Sequence, residues 1–94
     1  MAIPIERRRQ TLGARFSEGA RLLWLALAKD GIEHAAAAKR LGIDRAVFSR
    51  LIYGDAVPPI AVLARVDEEF RIAPASWAKP PTTPFAPWGA EVSP

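Results

Sequence analysis

Residues 31–54, GIEHAAAAKRLGIDRAVFSRLIYG, carry the reading that decides the fold. Ala35 to Ala38 are four successive residues of the highest helix propensity, and Gly42 follows Leu41 directly. The pattern predicts a helix of roughly two turns from His34 to Leu41 that stops at Gly42. Asp44 is a good N-cap for a following helix from Arg45 to Tyr53. In that helix Phe48, Leu51 and Ile52 share one side, with Val47 at its border, while Ala46, Ser49, Arg50 and Tyr53 fall at i, i+3, i+4 and i+7 on the other. The segment therefore reads as two short helices joined by a tight turn, the second with one buried face and one presentable face.

Working outward, Ser17 is the N-cap of an earlier helix whose Ala20, Leu23, Trp24 and Leu27 form one apolar stripe with Phe16, stopped at Gly31. Leu22 and Leu25 lie outside that stripe, so either the C-terminal tail or a second copy of the chain is expected to cover them. Downstream, Pro58 and Pro59 sit where a fourth helix starts, and Val62, Leu63, Val66 and Phe70 supply its apolar side. Ala73 to Trp77 can add one short turn whose Trp77 closes the core, before Lys79-Pro80-Pro81 prevents continuation. No stretch alternates like a strand and no internal repeat is present. The expected fold is all-α: four to five helices over residues 17–77, preceded by a basic arm (1–16) and followed by a Pro-rich tail (78–94).

Composition narrows the function. A chain of 94 residues has room for one small core, not for a two-domain enzyme. Without cysteine and with a single histidine, thiolate chemistry and zinc clusters are poor expectations. The longest apolar run, Leu22 to Ala28, is far short of the roughly 20 residues that cross a bilayer. Nor is there a Gly-rich phosphate loop, paired-carboxylate site or nucleophile with a matched base, so neither catalysis nor a metal or cofactor is expected. The expected location is the cytoplasm of a bacterium or a phage-infected cell, in association with the nucleoid. Charge is uneven: residues 1–50 hold ten Lys or Arg against five Asp or Glu, and residues 51–94 hold three against five. Such a field suits a protein that turns one end toward a polyanion.

The run from Gly31 to Gly54 resembles the helix-turn-helix of the phage repressor and Cro (Xre-like) family of transcriptional regulators. Ala38, Leu41-Gly42-Ile43, Phe48, Leu51 and Gly54 carry the likeness, and Pro58 to Phe70, Ile72, Pro74 and Trp77 extend it to about residues 17–77. The resemblance implies sequence-specific binding to double-stranded DNA, as a repressor-like homodimer with the helix at about 45–53 in the major groove. By position, Arg45, Ala46, Ser49 and Arg50 would face bases. An arginine gripping guanine O6 and N7 contributes roughly 1–3 kcal/mol of discrimination. Tyr53 stands where the family often contacts phosphate, although it can equally be a half-buried ring. His34 stands where relatives carry a phosphate-bridging glutamine, with plain surface capping as the alternative. Three departures accompany the match: Glu33 replaces a usual Ser or Thr, the first helix lacks a frequent arginine near its end, and Arg71 replaces a common glycine.

Arg7, Arg8 and Arg9 are either a phosphate-reaching arm or a solvated terminus. Phe85 and Trp88, set among Pro80, Pro81, Pro84, Pro87 and Pro94, make the tail too aromatic for an inert linker. They are expected to dock on Leu22 and Leu25, within the chain or across a dimer, or to bind a different protein such as a toxin or polymerase subunit. A second functional class thus stands beside the regulator: an interaction module or antitoxin-like protein built on the same scaffold. Regulation places the activity in Arg45 and Arg50; the interaction reading places it in Leu22, Leu25, Phe85 or Trp88.

Overall fold

The computed structural model describes residues 13–82, and Arg7, Arg8, Arg9, Phe85 and Trp88 lie outside them. The described residues form four α-helices, α1 (Glu18–Asp30), α2 (His34–Leu41), α3 (Arg45–Ile52) and α4 (Ile60–Phe70), followed by a 3-10 turn at Pro74–Ala78. They contain no strand, and none of their helices is long and apolar enough to cross a membrane.

Local chemistry explains the helix ends. Ser17 accepts the Ala20 N–H at 3.2 Å and so satisfies one of the orphan donors that begin α1. Gly31 and Gly42 end α1 and α2 at φ 65° and 70°, where a side chain would be strained. At both ends the next amide closes the motif, Ile32 N–H reaching Leu27 O at 2.9 Å and Ile43 N–H reaching Ala38 O at 3.1 Å. The two isoleucines then turn in against the core. The turn between α2 and α3 is therefore only Gly42 to Asp44. Asp44 does occupy the N-cap position of α3, but its carboxylate accepts no cap bond, and α3 ends at Ile52 with Tyr53 as its C-cap rather than inside it.

Phe48, Leu23, Ile52 and Val66 are the largest fully buried side chains, so α1, α3 and α4 each contribute to the core. Truncating a phenylalanine in such a place typically costs about 3–5 kcal/mol. Ala37 and Ala38 are buried as well, and their small side chains let α2 lie close to its neighbours α3 and α4. Trp77 closes the core from the far side by resting on Gly19, where even a methyl group would meet the indole at 2.5 Å. Gly54 is as tightly held. Its α-carbon lies against the Phe16 backbone, and the Gly13 and Arg15 amides donate to Tyr53 O and Gly54 O at 2.8 and 2.9 Å. Residues 13–16 are thus stitched to the exit of α3.

Arg71 is the one non-glycine residue with positive φ among those described, at 59°, and it is the C-cap of α4. Left-handed backbone costs an L-residue roughly 1–2 kcal/mol. Arg71→Gly should therefore stabilise the protein by about 1 kcal/mol net of glycine's greater unfolded-state freedom, a rise in Tm of about 4–8 °C for a chain of this size. An unchanged or lower Tm in calorimetry would show that other contacts absorb the strain.

Glu18 and Arg21 form a nearly buried pair, with Nε donating at 2.8 Å to Oε1 and Nη2 at 2.5 Å to Oε2. Glu18 Oε1 also accepts the Thr82 N–H at 2.8 Å. The Arg21 hydrogen bond, helped by Thr82 and opposed by burial, holds the Glu18 carboxyl down at about 2 from 4.5. A depressed carboxylate contributes stability that is complete above its unfolded value and lost as pH falls toward its folded one. Glu18→Gln should therefore be less stable than the parent above pH 4.5, and the gap should close as pH falls to about 2. Urea melts across that range test it, and a gap independent of pH is the contrary result.

Candidate nucleic-acid interface

The outward face of α3 is built by the same periodicity that buries its inner face. Phe48, Leu51 and Ile52 point into the core and Val47 is half-buried. Arg45, Ala46, Ser49 and Arg50 are all exposed. No ion pair or side-chain hydrogen bond with another described residue ties down Arg45, Ser49 or Arg50. The face therefore offers two guanidinium groups, five donors each, separated by small side chains that let another molecule come close to the helix backbone.

At one end of this face, α2 begins at His34, whose ring is half-buried against aromatic neighbours. Its centroid lies 4.7 Å from that of Trp24, edge to face, and 5.6 Å from that of Phe48. Burial, and then the nearby positive charge of Arg45, push the imidazole below its ordinary 6.5. His34 is consequently neutral at pH 7, with one ring N–H to donate rather than two. At the other end, Tyr53 caps α3 with its ring half-buried and edge-on to Trp24, centroids 5.4 Å apart. The half-buried ring is thus the observed arrangement, and the N-terminal segment meets α3 beside it through Gly13.

Trp24 connects the two ends. Its Nε1–H donates to Ile52 O at 2.7 Å, satisfying a carbonyl that the end of α3 leaves free. Periodicity alone marked Trp24 as an ordinary member of the apolar stripe. The signal for more was its indole N–H, since a partly buried tryptophan donor needs an acceptor. Lys39 and Arg40 add exposed positive charge on the last turn of α2. Arg40 is partly committed, with its guanidinium 5.8 Å over the Phe70 ring and its carbonyl accepting from Arg65 Nε at 3.0 Å.

Arg45, Ala46, Ser49 and Arg50 are exposed along α3, while His34 at the start of α2 and Tyr53 at the end of α3 both pack on Trp24. Leu22 and Leu25 belong to the outer side of α1 instead. Leu22 is half-buried, and Leu25 remains 43 % exposed. No protein-family model matches the chain, and no curated protein or solved structure matches it either.

Because His34 is the chain's one histidine, its titration can be followed by NMR without assignment ambiguity. The midpoint should lie below 6.5 and move up in Arg45→Ala. A depressed histidine stabilises the fold fully above its unfolded value and loses that contribution as pH falls through 6.5 toward the folded value. His34→Gln should flatten this part of the stability profile. A midpoint at or above 6.5 in the parent contradicts the burial account.

Proposed function

We propose that this chain is a sequence-specific double-stranded DNA-binding protein, a small transcriptional regulator of the phage repressor and Cro helix-turn-helix type. The observation that carries the reading is the outward face of α3. Two arginines without an ion-pair partner among the described residues, Arg45 and Arg50, flank the small Ala46 and Ser49 on a helix whose other face is buried. In this reading α3 lies in the major groove, and Arg45 or Arg50 grips guanine O6 and N7. Ser49 bonds a base edge, and Ala46 makes room or touches a thymine methyl.

His34 and Tyr53, at the two ends of this face, contact phosphates on either side of the groove. The neutral His34 ring gives a single donor there, held in place by Trp24 and Phe48. Arg7, Arg8 and Arg9, which lie outside the described residues, supply further positive charge for phosphates in this reading. One eight-residue helix reads too few base pairs for useful specificity, so the protein acts as a homodimer on a two-fold operator. Val57 and Ile60, 59 % and 84 % exposed just after α3, are apolar side chains that a second copy would cover. The protein represses by occluding polymerase, and its role is not that of an enzyme. The exposed Leu25 favours a second reading, an antitoxin-like interaction module that binds a protein partner through α1.

Selection from a randomised duplex library tests the two readings, comparing the parent with Arg45→Ala and Arg50→Ala. The regulator should enrich one motif, and its affinity should fall steeply with salt as phosphate counterions are released. Each substitution should relax the motif at its own position at a cost of about 1–3 kcal/mol. Weak, unselective binding that ignores both changes supports the interaction module instead.

A further inference from the structure

We propose that the cleft between the chain ahead of α1 and the chain that leaves the 3-10 turn binds a small organic carboxylate with an apolar body. The cleft measures about 290 Å³, and Arg15, Phe16, Val57, Trp77, Lys79 and Pro80 are among the residues that line it. That volume is at the lower end for small-molecule sites, so the occupant is one small molecule. The walls divide by chemistry. Phe16, Val57, Trp77 and Pro80 offer apolar surface, and Arg15 and Lys79 supply two exposed positive charges. None of Arg45, Ala46, Ser49 and Arg50 lines the cleft, so the inference is independent of the DNA-binding reading. Ile60 lies outside it too and remains for a second copy.

A second observation is the indole of Trp77. The residue is only 8 % exposed, and its Nε1–H is buried with no hydrogen-bond acceptor among the described residues. Trp24, by contrast, has Ile52 O for the same purpose. A buried donor without an acceptor is rare in a native fold and points to an occupant that the chain itself does not supply. The two cations are equally uncommitted, since neither makes an ion pair or side-chain hydrogen bond with another described residue. Their backbones are nevertheless fixed, Arg15 N–H donating to Gly54 O and Lys79 O accepting the Glu18 N–H, both at 2.9 Å. The Glu18 carboxylate does not compete for them, because Arg21 and the Thr82 N–H hold it. Two free cations and one orphan donor at an apolar cleft call for an acceptor that carries negative charge on a hydrocarbon or aromatic body. A carboxylate combines the two, and inorganic phosphate lacks the second.

Titration of the isotope-labelled full chain with benzoate, read from its assigned amide and indole NMR signals, tests the site. Benzoate should move the Trp77 indole N–H downfield to saturation, together with the amides of Arg15, Val57 and Lys79. Benzamide, of the same shape without the charge, should bind about tenfold more weakly, because hydrogen bonds to a charged group are the stronger ones. Arg15→Ala and Lys79→Ala, both at exposed positions, should each weaken benzoate about threefold, as expected for a solvent-facing charge pair. Arg15→Lys should retain the affinity, and Arg45→Ala should leave it unchanged. Equal affinity for benzamide, or indifference to both alanine variants, would mean an adventitious additive only and overturn the proposal. An indole signal that stays in place while the amides move, or the lack of any saturable shift, would overturn it as well.

Discussion

The indole of Trp24 is the contact on which the relation between helices depends. Its N–H fills the carbonyl that Ile52 would otherwise leave unbonded at the end of α3. Its ring is met edge-on by His34 at the start of α2 and by Tyr53 just past α3. One side chain of α1 thereby sets the distance between the beginning of one short helix and the end of the next. Two eight-residue helices are too short to be stable alone, so their orientation has to come from such tertiary contacts. The candidate interface is the outer surface of that arrangement.

Two closures protect it. On one side Gly13 and Arg15 bond to the backbone at Tyr53 and Gly54, which ties the chain ahead of α1 to the exit of α3. On the other, Trp77 rests on Gly19, while Glu18, paired with Arg21, reaches across to Thr82. Both closures use a glycine where a backbone or ring comes too near for any side chain. Removing the Glu18 carboxylate would leave the Arg21 guanidinium, itself mostly shielded from solvent, without its partner. The ends of the described chain are thus held by polar bonds at the rim, while the middle is held by Phe48, Leu23, Ile52 and Val66.

Much of the helix pattern was legible because local chemistry and periodicity agreed. Ser17, Gly31 and Gly42 mark helix ends by their own conformational preferences, and the structure places the ends there. The alternation of Phe48, Leu51 and Ile52 with Ala46, Ser49 and Arg50 separates the faces of α3 without reference to any other element. Asp44 was less informative. Its residue type suits a cap, but whether a carboxylate turns back onto its own helix depends on surroundings that local pattern does not contain. Arg71 misleads in the other direction, holding a left-handed backbone that residue type argues against, because packing of α4 on one side and the 3-10 turn on the other determines where the chain must bend.

By itself, then, the amino-acid order determined where helices start and stop, which side of each is apolar, and that Arg45 and Arg50 share a face with Ala46 and Ser49. These follow from capping, from the 3.6-residue period and from backbone preference, all of which act within a few residues. Only the tertiary structure decided that His34 is half-buried beside Trp24, with its proton affinity lowered there. It also decided that Tyr53 packs on the same indole and that the segment after Trp77 turns onto Glu18. Those facts join residues 10 to 64 positions apart, and burial, hydrogen bonding and charge act through space, so they exist only once the helices have met.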